Sequence, residues 1–341
     1  MFHRQTRTGV LCHHTDNFLQ LARWGRWEEN PLVVDSFAEL HPADEESLER
    51  WLLTHFPDRG GSGYLPGICG FQPSTRVFSR ENIVPRLLAA PDHLPNLIAE
   101  RARVTSAKDW FATILDPING ATFSPDGPAR PGLLLGVPEP VIREHQARLL
   151  KHHVRPRRLE IGTLALLGGL NCFLTRTAST QALVVCEIEY TQTRVYVLAR
   201  DGVHILAPLP HGLLSILETA MKELAVPDVA TARLELEEPS ESLLAHGRRL
   251  VRVLSRHLKP AVDHFELQTG HRLDALYCAS LPLRLAWLGQ MLGAAVDLQL
   301  LAPDLAVWLP TVGLQAENGG APLSPAWLPT LSLVARFAPS P

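Results

Sequence analysis

The stretch 182–210, ALVVCEIEYTQTRVYVLARDGVHILAPLP, most constrains what this chain can fold into. It reads as an apolar strand, a polar turn, an alternating strand, Asp201-Gly202 and a further alternating strand. Asp-Gly between two alternating runs is a strong hairpin signal, because glycine accepts the positive φ that a tight turn imposes. A meander of three antiparallel strands therefore stands in the middle of the sequence. The turn after its first strand carries Glu187-Ile188-Glu189.

Strand and helix patterns alternate on both sides of this meander. Strands are expected over 7–24 (with a polar turn through His13-His14-Thr15-Asp16), at 32–37, 68–71, 75–79 and 133–137, and again at 273–279 and 296–300. Helices are expected over 45–56, capped by Asp44 with Leu48, Trp51, Leu52 and Phe56 inward, and over 141–153 behind Pro140, with Val141, Ile142, Leu149 and Leu150 inward. Further helices fall at 164–172, 212–224, 243–257, 282–292 and 310–315. The proline-rich stretch 80–132 reads as irregular, with helical pieces at 85–90 and 93–101 and a surface loop over 120–132. Elements alternating in this way, grouped in two halves, imply an α/β protein with two lobes. The 341 residues are ample for two cores.

Composition excludes several classes. Hydrophobic residues make up 46% of the chain, which excludes a disordered protein, and the net charge of -3 gives no global pull toward nucleic acid. No apolar run is long and clean enough to span a bilayer, and MFHRQTRTG has no apolar signal core, so secretion is not expected. Cys12, Cys69, Cys172, Cys186 and Cys278 show no CxxC spacing and read as reduced, buried thiols of a cytoplasmic protein.

Three segments in order carry a resemblance. They are Gly132-Leu-Leu-Leu-Gly-Val-Pro with the helix over 141–153 and Leu159-Glu-Ile, the meander 182–210, and residues 261–277 with the strand and helix that follow, ending at 303. Over residues 9–317 the chain resembles the PilM family, the actin-like proteins of type IV pilus assembly. It is similar, more distantly, to FtsA and to the cytoplasmic domain of the type II secretion protein GspL. The resemblance implies an actin/Hsp70-like (ribonuclease H-like) fold, each lobe a mixed sheet flanked by helices. It divides the chain into a first lobe over 1–180 with an inserted subdomain at 81–154, a second lobe over 181–302, a closing helix over 303–317 and a tail over 318–341.

The resemblance also places a nucleotide cleft. The first phosphate turn falls on Cys12, His13 and His14, the second on Glu187 and Glu189, and the adenosine-side Gly-Gly on Ala279-Ser280. All three depart from the family pattern. Glycine lets backbone N–H groups approach phosphate, whereas Glu189 sets a carboxylate there. One like-charge pair at ~4 Å costs about 1 kcal/mol in water and about 4 near a protein surface. No ATP or Mg²⁺ is therefore expected, and the chain reads as a pseudo-ATPase. The role implied is a cytoplasmic scaffold, peripheral to the inner membrane, that grips the N-terminal peptide of a PilN-like bitopic protein beside the inserted subdomain and meets other pilus or secretion components of that membrane. Two rivals remain open: a working ATPase or sugar kinase of the same fold, with Glu187 on the metal, and a GspL-like arm with a membrane span after the core.

The remaining clusters read blandly. Adjacent histidines of a strand point to opposite faces, so Cys12-His13-His14 with Asp16 is a polar turn rather than a metal site. His152-His153 ends a helix, where imidazoles meet the negative dipole terminus. Arg148, Lys151, Arg155, Arg157 and Arg158 form a solvated basic end, with docking to acidic groups or an anionic leaflet as the rival. Glu235, Glu237, Glu238 and Glu241 form a solvated edge. Gly60-Gly61-Ser62-Gly63 lacks the Lys-Ser/Thr of a P-loop. Asp263 and Glu266, one helical turn apart, read as ion-paired or solvated rather than as acid–base groups.

Overall fold

The computed structural model describes residues 7–26, 31–57, 63–177 and 181–335. The N-terminal half builds a mixed sheet from β1 (Arg7–His14), β2 (Leu19–Arg26), β3 (Leu32–Leu40), β4 (Leu65–Phe71) and β8 (Val154–Ile161), in the order β3-β2-β1-β4-β8. The second half builds another from β9 (Ala182–Ile188), β10 (Thr193–Ala199), β11 (Gly202–Ile205), β12 (Leu273–Ala279) and β13 (Gln299–Leu300), in the order β11-β10-β9-β12-β13. The two orders are the same, and so are the pairings: two antiparallel, then two parallel. The lobes are a duplicated pattern. Even the thiols repeat, with Cys12 opposite Cys69 and Cys186 opposite Cys278. The hairpin read from Asp201-Gly202 is present, with Gly202 at φ +107° paired to Ala199.

Apolar side chains fill both faces of each sheet. Val10, Cys12 and Cys69 pack under α1 (Glu45–His55), whose N-cap Asp44 accepts from the Ser47 N–H at 2.9 Å. Val184, Cys186 and Val197 face α5 (Leu213–Glu223), α6 (Val229–Glu237), α7 (Glu241–Leu250) and α8 (Arg252–Thr269). The opposite faces meet in one core that joins Leu11 and Phe71 of the first lobe to Leu183, Val185 and Tyr277 of the second. Among the described residues no helix is long and apolar enough to cross a membrane.

A third sheet, β5 (Val77–Ile83), β7 (Arg130–Pro138) and β6 (Trp110–Leu115), lies between β4 and β8 in sequence, backed by α2 (His93–Ala102). This corrects the reading of 80–132 as irregular. Gly132, expected in a loop, sits inside β7 because Ile83 and Ile114 press on it, and a Cβ there would come within 2.9 Å of both. α3 (Glu139–Lys151) leads back to β8 and buries His145, not Leu150, which is 40% exposed. The helix expected over 243–257 is two helices broken at Val251, and the strand expected over 296–300 is only Gln299–Leu300, after α9 (Trp287–Val296).

The C-terminal part returns to the first lobe. α10 (Leu305–Thr311) precedes β14 (Leu314–Glu317), which pairs in parallel with β3 where a helix over 310–315 was expected. Residues expected as a free tail are core: Trp327, Leu331 and Leu333, around α11 (Leu328–Ser332), pack against α4 (Gly162–Arg176). Phe337 and residues 60–62 of the glycine-rich loop lie outside the described residues.

Candidate functional site

Two places between the layers concentrate chemistry: a polar seam between the lobes and an apolar groove beside the small sheet. The seam begins with β9. Its last turn carries Glu187 and Glu189 into the space between the sheets, where both are buried. A buried carboxylate is tolerated only when paired and hydrogen-bonded. Arg76, fully buried in the turn after β4, supplies the pair, reaching Glu187 Oε2 at 2.8 Å and Glu189 Oε1 at 2.7 Å. Glu187 also accepts from Gln72 Nε2 at 2.6 Å, Thr163 Oγ1 at 2.9 Å and Tyr196 Oη at 2.9 Å. Glu189 further accepts from Arg194 Nε at 3.0 Å and Gln192 Nε2 at 2.8 Å. Two arginines thus balance two carboxylates.

Burial pushes the Glu187 carboxyl above its ordinary pKa and Arg76 pulls it back; four donated hydrogen bonds favour the ionised form. Burial works against the Arg76 cation as well, but the adjacent Glu187 carboxylate holds it above the usual arginine range. The seam continues through Ser280, whose Oγ donates to Gln72 Oε1 at 2.8 Å, and Asn17, whose Nδ2 donates to the carbonyls of Ile188 and Ser280, each at 2.7 Å. First-lobe side chains Asn17, Gln72, Arg76 and Thr163 therefore all bond second-lobe groups.

The groove is a cavity of about 530 Å³ walled on three sides. Phe111 and Leu115 of β6 with Leu133, Leu135 and Val137 of β7 make one wall. β8 and α4 make the second, through Leu159, Leu164 and Gly168. The β10–β11 hairpin makes the third, and the Val203 N–H donates to the Pro117 carbonyl at 2.8 Å to join it to the loop after β6. Phe111 and Ile118, 57% and 59% exposed, stand at the mouth. Gln146, Arg158, Glu160 and Asn171, with Thr113, Asp116 and Asn119, place polar groups on a mainly apolar lining. Apolar clefts with sparse polar groups are the usual form of a ligand or peptide site.

No protein-family model matches the chain, and no curated protein does. Among solved structures, a PilM–PilN type IV pilus biogenesis complex is similar over 95% of this chain and 97% of that one, with a TM-score of 0.67 at 14% identity. The chain has a PilM-like, actin-like fold. Looser likenesses are to an actin-like ATPase-fold protein of Bacteroides thetaiotaomicron (TM-score 0.45, 8% identity, 86% and 90% covered) and to the cytoplasmic domain of EpsL from the Vibrio cholerae type II secretion system (0.42, 11%, 97% and 96%).

Within the PilM-like fold, the residues singled out in sequence part company. Glu187, Glu189 and Ser280 meet in the seam, and Ala279 lies in the core beneath them. Cys12 points away, under α1. His13 faces Thr330 of the C-terminal segment, its Nδ1 at 3.3 Å from Oγ1, while His14 stacks on His145 and meets Arg148 Nη1 at 2.8 Å. The two imidazoles occupy opposite faces, as the strand period requires. Most of the basic run is engaged within the chain: Arg148 reaches the Pro42 carbonyl, Lys151 reaches Glu45, and Arg158 reaches Glu160. Glu266 Oε1 accepts from the Leu273 N–H at 2.6 Å, and Asp263 lies 3.9 Å from Lys259.

The sequence reading missed Arg76, Gln72, Thr163 and Tyr196. The signal was available by subtraction. Two carboxylates closing a strand whose other residues are all apolar demand a buried cation, and Arg76 follows the next central strand of the opposite lobe.

Proposed function

We propose that this protein is a non-catalytic scaffold of a type IV pilus or related secretion apparatus, which holds the cytoplasmic N-terminal peptide of a PilN-like bitopic protein in the groove beside the small sheet. The groove itself carries the reading: an apolar cavity of about 530 Å³ with exposed Phe111 and Ile118 at its mouth. Likeness to the PilM–PilN complex supports the class of partner. On this reading the protein works in the cytoplasm at the inner membrane, held there by its partner.

The seam supports the absence of catalysis. Arg76 and the two glutamates fill the space between the lobes, and both oxygens of Glu187 already accept donated hydrogen bonds. A magnesium ion would have to displace Arg76 to use that carboxylate. A kinase or ATPase reading finds no open carboxylate on Glu187 or Glu189, and exposed Asp16, close enough to feel both Glu189 and Arg76, is the acidic group left to it.

Fluorescence anisotropy with labelled N-terminal peptides of the single-span proteins encoded nearby tests the proposal. One peptide should bind the wild type, and Phe111→Asp, a change at an exposed position, should weaken it at least about tenfold by placing a charge in an apolar contact. Equal binding to F111D sinks the groove assignment. Calorimetric titration with ATP and Mg²⁺ should give no saturable heat; micromolar binding would restore the enzyme reading.

A further inference from the structure

The hairpin turn that closes the groove carries a second cluster on its outer side. Asp201 belongs to this turn and His204 to β11 just after it, and His271 lies just before β12, after Gly270 ends α8 at φ +70°. Asp201 Oδ1 is 2.8 Å from His204 Nε2 and 3.4 Å from His271 Nε2, and the three ligand atoms lie within 4.8 Å of one another. Tetrahedral zinc with bonds of about 2.0–2.1 Å holds neighbouring donor atoms roughly 3.3 Å apart. The His271–Asp201 spacing is already there, the His204–Asp201 spacing is within about half an ångström of it, and the two histidines close on each other from a separation of at most 4.8 Å.

The rings are held for this geometry by an apolar platform. Phe265 of α8, buried, stacks on His271 with an interplanar angle of 15° and takes the edge of His204 at 76°. The two imidazoles, inclined at 61° to each other, thus approach one carboxylate oxygen from different directions. Arg80 engages the other side of Asp201, 3.6 Å from Oδ2, and donates to the Val203 carbonyl at 3.1 Å. The Oδ1 edge is left to the histidines. Two imidazoles and one carboxylate, with solvent on the open side, form a three-ligand set suited to zinc and its neighbours.

We infer that Asp201, His204 and His271 bind a divalent first-row transition ion of the zinc type. The ion would bridge the β10–β11 turn to the start of β12. The same turn donates from Val203 to Pro117 at the groove mouth, so binding would stiffen one groove wall. The site stands whether or not the groove takes a peptide.

Zinc titration of the full chain, after removal of any purification tag, followed by calorimetry and thermal melting, tests the inference. The wild type should bind one equivalent and gain thermal stability, as any ligand of the native state confers. Asp201→Asn and His271→Gln, both at accessible positions, should melt as the wild type does without zinc, yet bind it about tenfold or more weakly. Cobalt(II) should give the visible absorption of a low-symmetry four-coordinate site in the wild type only. Zinc isotherms unchanged in both variants, or no saturable binding by the wild type, would overturn the assignment.

Discussion

Arg76 is the residue on which the space between the lobes depends. Its guanidinium is buried and contacts two carboxylates at the end of β9, Glu187 and Glu189. Removing one partner of such a network strands the others without solvent, so Arg76→Ala should cost about 3–5 kcal/mol in equilibrium urea unfolding. Replacing the pair together removes the unpaired charge, but Arg76→Met with Glu187→Leu leaves the Gln72, Thr163 and Tyr196 donors without their acceptor, so it should recover only part of that loss. A second residue-scale effect comes from three histidines. Burial, with smaller contributions from nearby cations, depresses His13 and His14 to about 3 and His145 to about 4. His13 Nε2 and His145 Nε2 have no hydrogen-bond partner, so a proton on either would be buried without compensation. In the unfolded chain the same rings titrate near 6.5, so below that pH the unfolded state binds more protons. Stability is therefore lost as pH falls from about 6.5 toward 3–4, by up to about 1.4 kcal/mol per pH unit for each ring. Urea midpoints at pH 7, 5.5 and 4.5 should trace this decline. His145→Phe, which keeps the stack on Phe71 and His14, should make it shallower.

At the scale of elements, the C-terminal segment matters most. α11 lies on α4 with Leu328 and Leu331 fully buried, and Gly169 leaves room for Ser332, since a Cβ there would overlap its hydroxyl. Leu331→Ala should cost about 2–5 kcal/mol by urea denaturation, the range for a buried leucine whose surroundings cannot collapse. A cost below about 1 kcal/mol would mean that this segment is a loosely held appendage. The partner helix lies more than 150 positions earlier in the chain, and this explains the uneven legibility of the sequence. Most strands of the two sheets and α1 were readable because alternation, the Asp201-Gly202 turn and the Asp44 cap are local signals, whereas β8 was not legible as a strand and β14 stands where a helix was expected. The role of 325–335 was not, because an apolar run does not state what covers it. β6 was hidden among prolines and glycines for a related reason: its pairing with β7 is set by tertiary contact. In the site, Glu187 and Glu189 were legible as departures from a phosphate turn, while Arg76 carried no local mark. His145 outranked Leu150 as the inward residue of α3 because the neighbouring rings of Phe71 and His14 form an aromatic stack that a helical wheel does not reveal.

For the molecule as a whole, the question is whether the duplicated lobes behave as two bodies or one. Chain path and packing both favour one. The chain leaves the first lobe at β9, completes the second, and returns through β14 and α11 to finish the first. The N-terminal half alone therefore lacks Trp308, Leu314, Trp327 and Leu331 of its own core. The second-lobe sheet buries one face under α5–α8 and turns the other, with Leu183, Val185 and Tyr196, into the core shared with the first lobe. Separating the lobes would expose that face and break the Arg76 network in the same event. Scanning calorimetry should accordingly show one transition, with a van't Hoff enthalpy close to the calorimetric value. At about 0.7 kcal/mol per residue the total should be roughly 240 kcal/mol near 60 °C. Independently melting lobes would give a van't Hoff enthalpy of about half that or less. Such a result would mean that the seam is an interface between separately stable domains and that the cleft is free to open. Arg76→Ala distinguishes the two cases: in a single cooperative body it lowers the midpoint of the whole transition, whereas between independent domains it leaves both midpoints in place.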